Sequence, residues 1–185
     1  MIIIFTGNGK GKTTAALGQA MRLFGYDKKV LMIQFIKGEW ETGEDKLILK
    51  IKNQKSKIKN NKELLKELEG FYNFKIIKGG LGFVKISKDK FPFAKHKKAA
   101  EKTLQIAEKE IESRKWDLII LDEINVAVSL KLLNEKKILA FLKKFPKEKN
   151  LILTGRNAPK NFIKIADLVT EMKEIKHPFQ KGEPA

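Results

Sequence analysis

The chain has no cysteine. Disulfides and thiolate metal sites are therefore excluded, and a reducing compartment fits. Histidine occurs twice, and His177 alone licenses no metal site. No apolar stretch approaches the roughly 20 residues that a membrane helix needs. The opening apolar run ends at Phe5, with no basic segment before it, so no secretory leader is expected. These absences lead us to expect a soluble, cytoplasmic protein. Acidic residues are the scarcer charge, 22 against 39 Lys+Arg, which leaves a net charge of +17. Such an excess draws an anionic partner, ATP or nucleic acid. Yet only three of the bases are arginines: Arg22, Arg114 and Arg156. Sequence-specific nucleic-acid readers lean on arginine for bidentate base contacts. No aromatics interleave with arginine to stack bases either. The lysine excess reads as solvated surface, and nucleic acid is not the expected partner.

What is present fits one globular domain spanning residues 1–185, with 42% apolar and 33% charged residues. Short, continuously apolar segments read as buried strands at 2–5, 29–35, 72–78, 116–123, 150–156 and 168–175. Between them, 3–4 spacing marks helices at 13–24, 94–114, 134–145 (capped by Asn134) and 158–166, with Pro159 near the first helical position. Residues 37–45 read as turns and 79–92 as an irregular loop, and the tail is expected to be irregular. Residues 46–70 form a lysine-rich surface insertion without recognisable chemistry. Asn61 could cap a helix there that carries Leu64, Leu65 and Leu68 and ends at Gly70. Continuously apolar strands alternating with helices predict an α/β fold, a mostly parallel sheet covered by helices on both faces.

The stretch "TGNGKGKTT" at 6–14 sits between a strand and a helix. Backbone N–H groups in such a turn point at phosphate oxygens, and the helix N-terminus adds partial positive charge. Gly7, Gly9 and Gly11 permit close approach, Lys12 places an ammonium on the phosphates, and the Thr13 hydroxyl can ligate Mg²⁺. The pattern is a relaxed G-x-x-x-x-G-K-[ST], with Thr6 at the first position. The expected fold is therefore a P-loop NTPase, RecA-like. An acid at the end of a buried strand completes such a site, and "LIILDE" supplies Asp122 and Glu123. From these residues alone the reaction stays open. ATP hydrolysis with Glu123 polarising water, a kinase, and an enzyme using triphosphate as a handle all fit.

Five stretches in order narrow this: "FTGNGKGKTTAALG" (5–18), "VLMIQFIKGEWETGE" (30–44), "WDLIILDEINVAV" (116–128), "LTGRNAP" (153–159) and "ADLVTEMKEIKHPFQKG" (166–182). Together they resemble the P-loop ATP:corrinoid adenosyltransferases of the cobalamin pathway. The resemblance spans nearly the whole chain apart from 46–70. It implies transfer of the 5′-deoxyadenosyl group of ATP to Co(I) of a cob(I)alamin or cobinamide-type corrinoid, with release of triphosphate. The alternative is a P-loop ATPase or kinase acting on another substrate. The resemblance implies Lys12, Thr13 and Glu123 as catalytic residues. It implies Thr6, Gly7, Asn8, Gly9, Lys10, Gly11, Lys12, Thr13 and Thr14 as the nucleotide loop, and Thr13, Asp122 and Glu123 as the positions linked to magnesium (or manganese).

Arg156 is expected to reach phosphate or ribose, or to tie a loop. Phe83 matches an aromatic near the lower face of the corrinoid; simple loop packing is the competing reading, as it is for Trp40. A homodimer and an electron-donating reductase, a flavoprotein among the candidates, are implied as partners. Two departures stand out. Relatives commonly carry tryptophan where this chain has Lys85, and many have an N-terminal arm over the corrinoid. This chain starts at the first strand, so either another segment, 46–70 for example, is expected to provide cover, or the site is expected to be more open.

Overall fold

The computed structural model describes residues 1–57, 73–85 and 89–176. The expected helix around Asn61 to Gly70, the residue His177 and the tail fall outside these.

The apolar segments form the strands β1 (Ile2–Thr6), β2 (Val30–Gln34), β3 (Phe74–Lys78), β4 (Leu118–Asp122), β5 (Asn150–Thr154) and β6 (Leu168–Glu171). They pair in parallel, in the order β3-β2-β4-β5-β1-β6. Alternate residues point to opposite faces. Ile3, Phe5, Val30, Met32, Leu118, Ile120 and Ile152 pack on one side, against Ala16 and Ala20 of α1 (Lys12–Phe24). Ile4, Leu31, Ile33, Ile119, Leu121, Leu151 and Leu153 face the larger core. That core is completed by α3 (Phe93–Glu112), α4 (Ile124–Ser129), α5 (Glu135–Lys143) and α6 (Lys160–Ile165). β2 and β4 are buried at every residue, and each such Leu or Ile contributes about 1.5–3 kcal/mol. At the edges β3 is half-buried and β6 exposed. Among the described residues no helix is long and apolar enough to cross a membrane.

Three elements differ from the sequence reading. Residues 37–45 are not all turn, because helix α2 spans Gly43–Lys57. Its start is tied by Asp45, whose Oδ2 accepts from both the backbone N–H and the hydroxyl of Thr42, at 2.8 and 2.6 Å. Glu44 and Asp45 also place negative charge in the first turn, where the helix dipole favours it. Second, α4 follows β4 after the single residue Glu123, whose φ of 62° turns the chain sharply. Third, the helix expected over 158–166 is the shorter α6, and Pro159, expected near its first position, is its cap. The cap of α5 forms as expected, with Asn134 Oδ1 accepting from Lys137 N–H at 3.2 Å.

Parallel pairing puts the carboxyl ends of all six strands on one edge of the sheet. The loops after β1, β2, β3, β4 and β5 meet there, at the place where open α/β sheets hold their ligands.

Candidate active site

The loop between β1 and α1 is a tight turn, with Gly7 at φ 94° and Gly11 at φ 103°. These left-handed values favour glycine. A second constraint comes from β6. Met172 N–H donates to the Thr6 carbonyl at 2.8 Å, and Gly9 N–H donates to the Met172 carbonyl at 2.7 Å. A Cβ on Gly9 would lie 2.8 Å from the backbone of Lys173. The loop therefore has a backing of main chain. Lys12 is buried, and its Nζ donates to the carbonyls of Gly7 (2.9 Å) and Gly9 (2.6 Å). Burial pulls its ammonium below the usual lysine range, Glu123 opposes that shift, and Arg156 adds to it. Thr6 Oγ1 accepts from Ala158 N–H at 3.2 Å, which joins the loop to the segment after β5. Asn8, Lys10, Gly11 and Thr14 are exposed around the mouth of the turn.

Asp122 is the hub. It is fully buried at the end of β4. Its Oδ1 accepts from Thr13 Oγ1 and from Thr154 Oγ1, both at 2.8 Å. Its Oδ2 accepts from Gln34 Nε2 at 3.2 Å and lies 3.6 Å from Lys37 Nζ. Lys37 in turn pairs with Glu44 at 2.6 Å. Burial pulls the Lys37 ammonium down, but Asp122 and Glu44 outweigh it and the net shift is upward. Exposed pairs such as Arg114–Glu148, at 3.9 Å, contribute about 0–1 kcal/mol. The Lys37–Glu44 pair is shorter and mostly shielded, so it belongs to the site rather than to the solvated surface. Gln34, Lys37, Glu44 and Thr154 were not read from the sequence. The register Gln34↔Asp122, which sets β2 beside β4, is what brings the first of these in.

Glu123 N–H donates to Thr154 Oγ1 at 2.9 Å. Its side chain lies against Gly155, where an added Cβ would sit 3.0 Å from Oε2. Burial pushes the Glu123 carboxyl above its usual range, and Asp122 adds to this; Lys12, Lys37 and Arg156 pull the other way. Arg156 is exposed beyond Gly155, within electrostatic reach of both Lys12 and Glu123. Asn125, also unread in the sequence, is buried and donates from Nδ2 to the Gly155 carbonyl at 3.4 Å.

The oxygen set fits magnesium better than a softer metal. Thr13 Oγ1 and Asp122 Oδ1 lie 2.8 Å apart, near the roughly 3 Å that separates neighbouring oxygens in an octahedron with bonds of about 2.1 Å. Among the described residues no three His, Cys, Asp or Glu side chains cluster to hold a metal. Phosphate oxygens and water would complete the shell, as magnesium prefers.

Trp40 and Phe83 stand on the loops after β2 and β3. They stack on each other with ring centroids 5.3 Å apart at 28°, and remain 43% and 55% exposed. Stacking and exposure are therefore both present: the pair packs, yet offers a face. Gly82, at φ 108°, makes room for it, because a Cβ there would meet the indole. Lys85 points elsewhere, its Nζ 4.3 Å from the centroid of the Phe93 ring.

A family model described as ATP:corrinoid adenosyltransferase BtuR/CobO/CobP matches residues 1–185. A corrinoid adenosyltransferase from Sinorhizobium sp is 36% identical over 98% of this chain and 76% of its own length. One from Escherichia coli K12 is 31% identical over 100% of this chain and 82% of its own. Among solved structures, flagellar accessory protein FlaH from Methanocaldococcus jannaschii superposes with a TM-score of 0.51 at 17% identity. That match covers 92% of this chain and 69% of the other, and it bears on the P-loop fold alone. With the phosphate loop, the buried Asp122 and the family match agreeing along the chain, it belongs to the ATP:corrinoid adenosyltransferase family.

Proposed function

We propose that this chain transfers the 5′-deoxyadenosyl group of ATP to Co(I) of a corrinoid substrate. The observation that carries the reading is the joint placement of a phosphate loop and an exposed aromatic pair on one sheet edge. Family membership supports ATP and a corrinoid as the two substrates, and disfavours hydrolysis or phosphoryl transfer.

In the step itself the Co(I) electron pair attacks the 5′ carbon. A Co–C bond forms from that pair, the C–O bond to the triphosphate breaks, and the triphosphate leaves with the electron pair of the broken C–O bond. Co(I) has no proton to lose, so no general base is required. The task of the protein is to neutralise the leaving group where charge develops. Loop amides and Lys12 serve this, Lys12 exchanging the carbonyls of Gly7 and Gly9 for phosphate oxygens. Arg156 and Lys10 add charge at the rim. Thr13 and Asp122, with Glu123 beside them, would hold magnesium or manganese. The ion would supply Lewis-acid stabilisation of the triphosphate. Trp40 and Phe83 offer an apolar face to the corrinoid, which carries the difficult chemistry itself. A homodimer and an electron-donating reductase, flavin-based for instance, are partners taken from the family alone.

The test is anaerobic mixing of the protein, Mg-ATP and reduced cobalamin. Loss of the Co(I) absorption, with intact triphosphate and a light-sensitive Co–C product, is expected. ADP and phosphate with untouched Co(I) would overturn the reading in favour of an ATPase or kinase.

A further inference from the structure

We propose that Lys37 is a positioning residue that couples the two substrate sites, holding the Trp40 segment in register with the carboxylate that serves the nucleotide. The proposal rests on the reading above, with Mg-ATP at the loop and Asp122, and the corrinoid at Trp40 and Phe83. The two anionic partners of Lys37 belong to different sites. Asp122, 3.6 Å away, is the partner of Thr13. Glu44, 2.6 Å away, opens α2 just beyond Trp40.

The Trp40 segment is tied on its other side as well. Lys78, on the neighbouring strand β3, donates to the Trp40 carbonyl at 2.7 Å and pairs with Asp45 at 2.5 Å. Gly82 N–H donates to the Ile36 carbonyl at 2.9 Å, which fixes the Phe83 loop to the same segment. The chain 36–45 is thus a strap. It is anchored outward on β3 and the Phe83 loop, and reaches inward through Lys37 to Asp122.

Occupancy of the inner site alters that reach. A divalent cation held at Asp122 would compete with Lys37 for that carboxylate and weaken their pairing. Glu44 is then left as the partner of Lys37, the strap tightens on α2, and Trp40 shifts against Phe83. By linkage, a corrinoid that prefers the shifted Trp40 strengthens Mg-ATP binding by the same factor.

Trp40 and Trp116 are the two tryptophans, so a Trp116→Phe background isolates the Trp40 emission. In it, saturating Mg-ATP is expected to change that emission and to tighten cob(II)alamin binding, followed by equilibrium dialysis, by about fivefold or more. Adding Glu44→Gln should bring that coupling, the ratio of cob(II)alamin affinities with and without saturating Mg-ATP, below about twofold. Lys37→Met should silence the Trp40 response and Lys37→Arg, which keeps the cation, should restore it. If Lys37→Met fails to fold, Glu44→Gln and Lys37→Arg decide. Coupling that survives both Glu44→Gln and Lys37→Met would overturn the proposal. So would a Trp40 silent to Mg-ATP that dialysis shows to be bound. Dialysis showing no Mg-ATP binding at all would instead overturn the nucleotide reading, and the coupling with it.

Discussion

At the residue scale, burial works against the charge of both Lys12 and Glu123. Lys12 is buried against two carbonyls, and under the proposed function its ammonium serves the triphosphate. Truncating it removes a preorganised donor, and such losses cost about 10²–10³ in turnover. Lys12→Ala should therefore lose at least about a hundredfold in adenosyl transfer and bind ATP far more weakly; near-normal activity would remove Lys12 from the phosphate site. Glu123 is held in a place that disfavours its charge, with its carboxyl pushed upward first by burial and then by Asp122. A carboxyl whose folded pKa is raised supports the fold while protonated, and that support is lost as pH rises through the folded value. Glu123→Gln should then melt higher than the unsubstituted chain at pH 7. The gap should close below the ordinary carboxylate range, where both side chains are neutral. The same variant should lose Mg²⁺-dependent transfer. A lower melting point at pH 7 would show that ionised Glu123 is a net stabiliser.

At the element scale, Asp89 fastens the far side of the loop that carries Phe83. Asp89 accepts from Phe91 N–H at 3.0 Å, from His96 Nε2 at 2.8 Å and from Lys85 N–H at 2.9 Å. With Phe91 N–H the leading cause, these bonds hold its carboxyl at about 2. The tie is complete above the ordinary aspartate range and is lost as pH falls towards that value, so it stands throughout the neutral range. Asp89→Ala should release the loop, raising KM for the corrinoid severalfold while KM for ATP stays near its original value. An equal rise in both would mean that the loop also shapes the nucleotide site. The legibility of these elements in the sequence follows the range of the interactions behind them. The phosphate loop, the six strands and the Asn134 cap depend on neighbours a few residues away, and were readable. The start of α2 was readable in principle from Thr42-x-x-Asp45, but Gly43 and the turn-like run before it masked the cap. Gln34, Lys37 and Thr154 converge on Asp122 through strand order and register. No local pattern encodes that convergence. The stacking of Trp40 on Phe83 likewise needs β2 and β3 to be neighbours.

At the scale of the whole molecule, a net charge of +17 acts on stability and on substrate binding with opposite signs. Like charges repel in the compact state. Several attractive pairs that offset this are exposed, among them Lys46–Glu41 at 3.6 Å and Lys137–Glu108 at 3.7 Å, each worth about 0–1 kcal/mol. Screening shortens the range of charge from about 10 Å at 0.1 M salt to about 3 Å at 1 M. It relieves diffuse long-range repulsion more than it weakens short, shielded pairs such as Lys37–Glu44 and Lys78–Asp45. Added KCl should therefore raise the melting temperature. The same screening weakens the attraction between a basic protein and anionic Mg-ATP, so the apparent KM for ATP should rise over the same range. Measured together, the two curves separate the sources of the effect. A melting temperature that falls with KCl would mean that the ion-pair network outweighs the repulsion. An ATP KM indifferent to salt would place the binding energy in the loop amides and Lys12 alone, with the surface lysines serving neither substrate.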